Sequence, residues 1–160
     1  MRAIVTLVRD AGARALSSAV LFDDVHRLHS ADFFGVWRAG DVVGVRIEGE
    51  LTDARNPVWR AWLDARFAAD GWPRFIALDV KDAIPMASLP MRIKTALWGR
   101  ATLARIDHGV IALGRDARVG LTVRAILRVA GMNNVTLLDD ASAFAKAVDA
   151  LSAPASAPSR

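Results

Sequence analysis

Residues 75–80 read Phe75-Ile76-Ala77-Leu78-Asp79-Val80, an apolar run broken only by one carboxylate near its end. A run without polar alternation suits a strand buried on both faces, at the centre of a sheet covered by helices. Lys81 to Ala87 reads as the loop after that strand. Ser88 then offers a side-chain oxygen as N-cap for a helix from about Leu89 to Leu103. One strand, one loop and one helix thus set the pattern for the rest of the chain.

The same alternation continues toward the C-terminus. Val110 to Leu113 is the next buried strand, and Asp116 to Ala130 the next helix, stopped by Gly131. The core stripe of that helix is Val119, Val123, Ile126, Leu127 and Ala130, and its opposite face carries Arg118, Arg124 and Arg128. Val135 to Leu138 is a last short strand. Asp140 caps a final helix that turns Phe144, Ala147, Val148 and Leu151 inward.

Toward the N-terminus, Trp59, Leu63 and Phe67 recur at helical spacing, with Val58 and Trp62 widening the apolar face. Thr52 is the expected N-cap of this helix, Pro57 lies in its first turn, and Gly71 ends it in a left-handed conformation. Before it, Phe34, Val36 and Arg38 lead through Ala39-Gly40-Asp41 into the β-branched run Val42, Val43, Val45 and Ile47. That pattern predicts a β-hairpin, closed by Gly49-Glu50-Leu51-Thr52. The order β-β-α-β-α-β-α-β-α predicts an α/β domain: a mixed, largely parallel sheet led by a hairpin, with helices packed mainly on one face.

The domain spans residues 33–151. Residues 1–32 form an N-terminal extension, in which Ile4, Val5, Leu7 and Val8 start a strand or helix and Ala13 to Leu21 continue as an amphipathic helix packed on the domain. Asp23-Asp24 and His26 to Ser30 read as a polar connector. Residues 152–160 are Ser/Ala/Pro-rich and read as a disordered tail.

Composition narrows the chemistry. A chain of 160 residues with 53% hydrophobic content builds one core without metals or crosslinks. The absence of cysteine excludes disulfides, thiolate catalysis and cysteine-ligated zinc. Lys81, Lys94 and Lys146 are the only lysines; the arginine, alanine and valine bias fits a GC-rich, bacterial coding sequence. The pI near 10.6 raises the question of nucleic acid, but the arginines are spread along the chain and read as a solvated surface. Apolar runs end well short of the ~20 residues a bilayer crossing needs. Arg9, Asp10 and Arg14 interrupt any secretory core, which points to the cytoplasm.

No constellation points to catalysis or to a cofactor. Asp23, Asp24, His26 and His29 are metal-ligand types in a polar connector, and His108 is distant from them, so no metal site is expected. Asp79, Asp82 and Asp107 lack an accompanying nucleophile or base. Gly114 to Gly120 lacks the Gly-Lys-Ser/Thr ending of a phosphate loop, and no Gly-x-Ser-x-Gly elbow occurs. The expectation is a binding module rather than an enzyme.

The element order and spacing resemble the STAS domain (sulfate transporter and anti-sigma factor antagonist) over about Phe33 to Leu151. Gly49-Glu50-Leu51-Thr52 is similar to the family's Gly-Glu-Leu/Ile-Asp segment, and Phe75 to Asp79 to its Val-Val-Leu-Asp-Leu strand. The family's Asp-Ser-x-Gly signature falls on Ala87-Ser88-Leu89-Pro90, with the serine kept and the aspartate and glycine replaced. Met132 to Val148 resembles the closing strand and helix. In the family's anti-sigma-factor antagonists a kinase partner phosphorylates that serine, and the phosphate prevents capture of the kinase. The resemblance therefore implies a cytoplasmic bacterial signalling module, with an anti-sigma factor, a serine-kinase-type regulator or a second copy as partner, and Ser88 as phosphorylation candidate. Pro90 removes one N–H donor from the first turn, and plain capping by Ser88 stands as the alternative.

On the helix after Ser88, Leu89, Ile93, Ala96, Leu97 and Ala104 share one face, while Met91 and Trp98 share the other, beside Thr95 and Thr102. A single buried stripe does not need the second set. Met91 and Trp98 are therefore expected to bind a partner, together with Arg92 and with Leu121, Arg124 and Arg128 of the next helix, unless residues 1–32 fold over them. Two other functions stay open. One is a lipid or small apolar ligand held between helices and sheet. The other is nucleic-acid association through Arg92, Arg100, Arg118, Arg124 and Arg128, which a contiguous arginine face would favour.

Overall fold

The computed structural model describes residues 27–30, by backbone only, and residues 32–153. The expectation for Ile4 to Leu21 lies outside the described residues.

Among the described residues the core is a six-stranded sheet in the order β1-β2-β3-β4-β5-β6. The strands are β1 (Arg27–Ser30), β2 (Phe34–Ala39), β3 (Val42–Leu51), β4 (Phe75–Pro85), β5 (His108–Ala112) and β6 (Val135–Leu138). β1, β2 and β3 pair antiparallel, and β3 to β6 pair parallel. Helices α1 (Asn56–Asp70), α2 (Leu89–Leu103) and α3 (Ala117–Ala130) follow β3, β4 and β5, and α4 (Ala141–Ser152) follows β6. The hairpin-led mixed sheet predicted from the pattern is the observed one, with β4 inside it.

Alternation along β3 divides the molecule. Val43, Val45 and Ile47 face Trp59, Leu63 and Phe67 of α1 and Val119 of α3, while Val42 faces Phe144 and Val148 of α4. Three helices thus share one face and α4 takes the other. In the hairpin, Ala39 pairs with Val42 across a two-residue turn in which Gly40 has φ 57°. Opposite Trp37 stands Gly44, where an added Cβ would lie 1.8 Å from the indole. The missing side chain lets the Trp37 ring lie flat on β3 and complete the α4 core.

Three local expectations are corrected. His26 to Ser30 is not simply a polar connector: Arg27–Ser30 pairs with β2, Arg27 opposite Trp37 and Ser30 opposite Gly35, and covers what would otherwise be a bare strand edge. Lys81 to Ala87 is not a loop throughout. β4 runs on to Pro85 because β3 also continues to Leu51 and gives it a parallel partner, after an irregularity in which Arg46 pairs with Asp79 but Glu48 with Asp82. Thr52 is not the N-cap of α1. Its hydroxyl accepts from Arg55 N–H and its carbonyl from Asn56 N–H, so it shapes the turn before the helix, while Arg55 occupies the cap position without a side-chain bond. Gly71 ends α1 with φ 86° and ψ 164°, positive in φ but extended in ψ. The caps at Ser88 and Asp140 and the stop at Gly131 stand where the sequence places them; Asp116 also caps α3, its carboxylate accepting from Arg118 N–H, and Gly131 is left-handed.

Candidate functional site

Ser88 lies exposed at the junction of β4 and α2. Its backbone is extended (φ −62°, ψ 160°), which aims the hydroxyl back over the first turn, where it accepts from Met91 N–H at 3.4 Å. The Ser88 N–H donates to Asp53 Oδ1 at 2.7 Å, across from the turn after β3. The Ser88 hydroxyl, and then its N–H, hold the Asp53 carboxyl below the ordinary aspartate range. Arg92 Nε donates to the Ala87 carbonyl at 2.8 Å and ties the first turn to the incoming loop. Ala87 is buried, so a carboxylate there would be enclosed; the departure from the family signature fits its surroundings.

The orientation of α2 departs from the expected one: of the stripe expected to face inward, Ala96 is buried, but the large side chains are not. Leu89, Ile93 and Leu97 are 70%, 47% and 59% exposed, while Met91, Thr95, Trp98 and Thr102 turn toward the domain. The reason lies on α1. Asn56, Arg60 and Asp64 recur one turn apart, and the first two are buried. The two buried ones need partners that an aliphatic face cannot give, and exposed Asp64 offers a further acceptor. Thr95 Oγ1 donates to Asn56 Oδ1 at 2.8 Å, Arg60 Nη2 reaches Met91 Sδ at 3.5 Å, and Trp98 Nε1 donates to Asp64 Oδ1 at 2.8 Å. Burial also lowers the affinity of Arg60 for its proton, and Asp64 opposes that. The Trp98 ring stands edge-on to Trp59 at 5.0 Å and 80°. Met91 and Trp98 are therefore packing residues between α1 and α2. Sequence reasoning missed that the polar stripe on α1 and the mixed stripe on α2 complement each other.

What faces outward on α2 consequently includes its large aliphatic side chains, beside Lys94 and Arg100. Met86 is 56% exposed just before Ser88, and the Leu89, Ile93 and Leu97 stripe continues from it. On neighbouring α3, Leu121 and Val129 are 67% and 74% exposed. Arg124 and Arg128 are exposed there too, Arg124 3.8 Å from Asp139. Of the expected partner-binding residues, Leu121, Arg124 and Arg128 are exposed, Arg92 is half-buried at the Ser88 loop, and Met91 and Trp98 are turned in.

Beneath α2 lies an almost wholly apolar cavity of about 120 Å³ between the three helices and the sheet, lined among others by Trp59, Trp98, Leu103, Ile126, Met132 and Val135. The Trp59 indole N–H is buried and has no hydrogen-bond partner among the described residues. A second cavity of about 100 Å³ adjoins it toward Ala87 and Arg92, sharing Leu78, Thr95, Val123 and Ile126.

The carboxylates weighed for chemistry have hydrogen-bond or ion-pair partners within the domain. Asp79 is buried, and desolvation raises its pKa against the opposing pull of Lys81, whose N–H donates to it at 3.2 Å. Asp82 and Glu48 pair with Arg46, and Asp107 pairs with Arg74. His108 Nε2 lies 2.9 Å from Thr136 Oγ1. Asp23, Asp24 and His26 lie outside the described residues, and no three metal-ligand side chains gather among those described. No described helix is long and apolar enough to cross a membrane.

No protein-family model matches the chain, and no curated protein matches it. Among solved structures, it is similar to an uncharacterized protein of the DUF3478 family with a SpoIIAA-like fold from Shewanella loihica PV-4. The match covers 77% of this chain and 98% of that one, at 15% identity and a TM-score of 0.54. At that identity the likeness concerns the fold alone: the chain has the SpoIIAA-like α/β fold, that of STAS and anti-sigma factor antagonist domains.

Proposed function

We propose that the chain is a protein-binding signalling module of the anti-sigma-factor-antagonist type, acting in a bacterial cytoplasm and docking its partner on the outward face of α2. The observation that carries this reading is the stripe of Met86, Leu89, Ile93 and Leu97, four large apolar side chains about half or more exposed and running away from Ser88. Singly exposed apolar residues need no explanation, whereas a contiguous stripe marks an interaction surface. An anti-sigma factor or serine-kinase-type regulator is the partner class this surface suits. Binding, not catalysis, is the activity, since the carboxylates are absorbed in structural pairs.

Ser88 gives the stripe a regulated end. Phosphate there would add nearly two negative charges and detach Asp53, changing the loop that leads into the docking helix. Ser88→Asp should weaken partner retention, and Ser88→Ala should preserve it if the cap loss alone is tolerated. The direct test is retention of a partner from cells of the source organism by the full chain and by an Ile93→Asp/Leu97→Asp variant. Loss with the variant but not with Lys146→Glu on α4 supports the reading; equal retention by all three removes it.

A second reading has its own observation, the apolar cavity beneath α2 with the unpartnered Trp59 N–H. Apolar cavities near this size stay dry and accept small aromatic guests. In this reading the domain holds a small apolar ligand. A nucleic-acid role is weaker, because phosphodiester contacts would leave Leu89, Ile93, Leu97, Leu121 and Val129 uncovered.

A further inference from the structure

We infer that the partner segment seated on this face is an acidic amphipathic helix, received in the trough between α2 and α3. The inference rests on the docking reading above and specifies the chemistry of what docks. α2 and α3 follow successive parallel strands and therefore run in the same direction, side by side. Their C-terminal ends are level, since Gly99 of α2 abuts the Met132 side chain just beyond α3. The N-terminal halves also meet, because Arg92 and Thr122 line one cavity. Leu89, Ile93 and Leu97 recur every four residues on α2, and Leu121, Ala125 and Val129 do so on α3, all of them exposed. Eight residues of helix span ~12 Å, so each stripe offers about two turns of apolar contact. Parallel stripes at that spacing match a third helix with an i, i+4, i+8 apolar face.

Charge selects the kind of helix. α2 carries Arg92, Lys94 and Arg100; α3 carries Arg118, Arg124 and Arg128; neither contains a carboxylate. Arg92 is committed to the Ala87 carbonyl and Arg118 to Asp116, and Arg124 lies near Asp139. Lys94, Arg100 and Arg128 make no ion pair among the described residues. A ligand that covers the leucines without supplying carboxylates would leave these cations facing one another under a low-dielectric cover. The same charge count argues against a second copy docked face to face here, because it would bring two basic surfaces together. A bilayer suits the face less well. Membrane-surface helices set Trp or Phe into the headgroup boundary, whereas Trp98 here turns inward.

The test uses the full chain, immobilised, and a displayed library of 18-residue amphipathic helices. The apolar face of the library is fixed, and six flanking positions are varied among Glu, Gln and Lys. Glu should be enriched at the flanking positions by about ten-fold over Lys, the scale of one or two well-placed charge pairs. The enrichment should reverse toward Lys on the R100E/R128E variant and vanish on L97D/V129D. Enrichment over L97D/V129D without any charge preference would overturn the acidic helix and leave the docking reading standing. No enrichment over L97D/V129D would overturn both. Co-sedimentation of the wild type, but not of L97D/V129D, with phosphatidylglycerol vesicles, without helix enrichment, would overturn the inference in favour of a membrane surface.

Discussion

Truncating Trp98 to alanine separates a core from a surface role for this residue. The indole stands edge-on to Trp59 at 5.0 Å, a pairing worth about 0.5–1.5 kcal/mol beyond area burial. Its N–H bond to Asp64 contributes on the order of 1 kcal/mol, discounted because the pair is exposed. The half-buried ring contributes roughly another 1–2 kcal/mol through removal from water. It also borders the cavity of about 120 Å³, so truncation enlarges an existing void. Together Trp98→Ala should cost about 3 kcal/mol, equivalent to a fall in Tm of about 10 °C for a domain of this size. Urea and thermal unfolding followed by circular dichroism would measure it. Trp98→Phe, which keeps a ring and loses the N–H, should cost about 1 kcal/mol. A loss below about 0.5 kcal/mol for Trp98→Ala, the range of surface changes, would refute the inward orientation of α2.

Further outcomes follow from the same packing. Ile93→Asp and Leu97→Asp should each change stability by no more than about 0.5 kcal/mol, since both positions are exposed; urea midpoints check this. Gly44→Ala should destabilise by about 3 kcal/mol, because the new methyl would lie 1.8 Å from the Trp37 indole, and Trp37→Leu should recover part of the loss in the double variant. Asp79 has its folded pKa raised by burial, so it binds protons more tightly folded than unfolded. Its contribution favours the native state as pH falls through the window between the folded and unfolded values. The advantage of Asp79→Asn over wild type should therefore grow as pH rises through that window, as read from unfolding at a series of pH values. Saturating benzene should raise Tm by filling the cavity, an unchanged Tm counting against the apolar-ligand reading, and Trp59→Phe, which removes the unpartnered N–H, should leave that shift in place.

The architecture was legible because its signals were local. The Phe75 to Val80 run, the Gly40-Asp41 turn, and the Ser88 and Asp140 caps each depend on residues within a few positions of one another. The errors arose where a distant partner decided the outcome. Polar Lys81 to Pro85 became strand because β3 continued beside it to Leu51. Arg27–Ser30 became strand because β2 had an open edge to fill. On α2, hydrophobicity alone favours burying Leu89, Ile93 and Leu97, yet these are exposed. The cover available came from Asn56, Arg60 and Asp64, whose polar groups select Thr95, Met91 and Trp98 instead. Of the face expected to be solvent-accessible on this helix, Met91 and Trp98 turn toward α1, and Leu89, Ile93 and Leu97 are the exposed side chains.

The account turns on which side of α2 looks outward and meets a partner. A photo-reactive phenylalanine analogue can be placed at position 97 in one version of the full chain and at position 98 in another, each irradiated in cells of the source organism. The account predicts an intermolecular adduct from position 97, mapping to a partner segment. From position 98 it predicts only intramolecular linkage, reaching α1 near Trp59 and Asp64. An intermolecular adduct from position 98, with none from position 97, would contradict it.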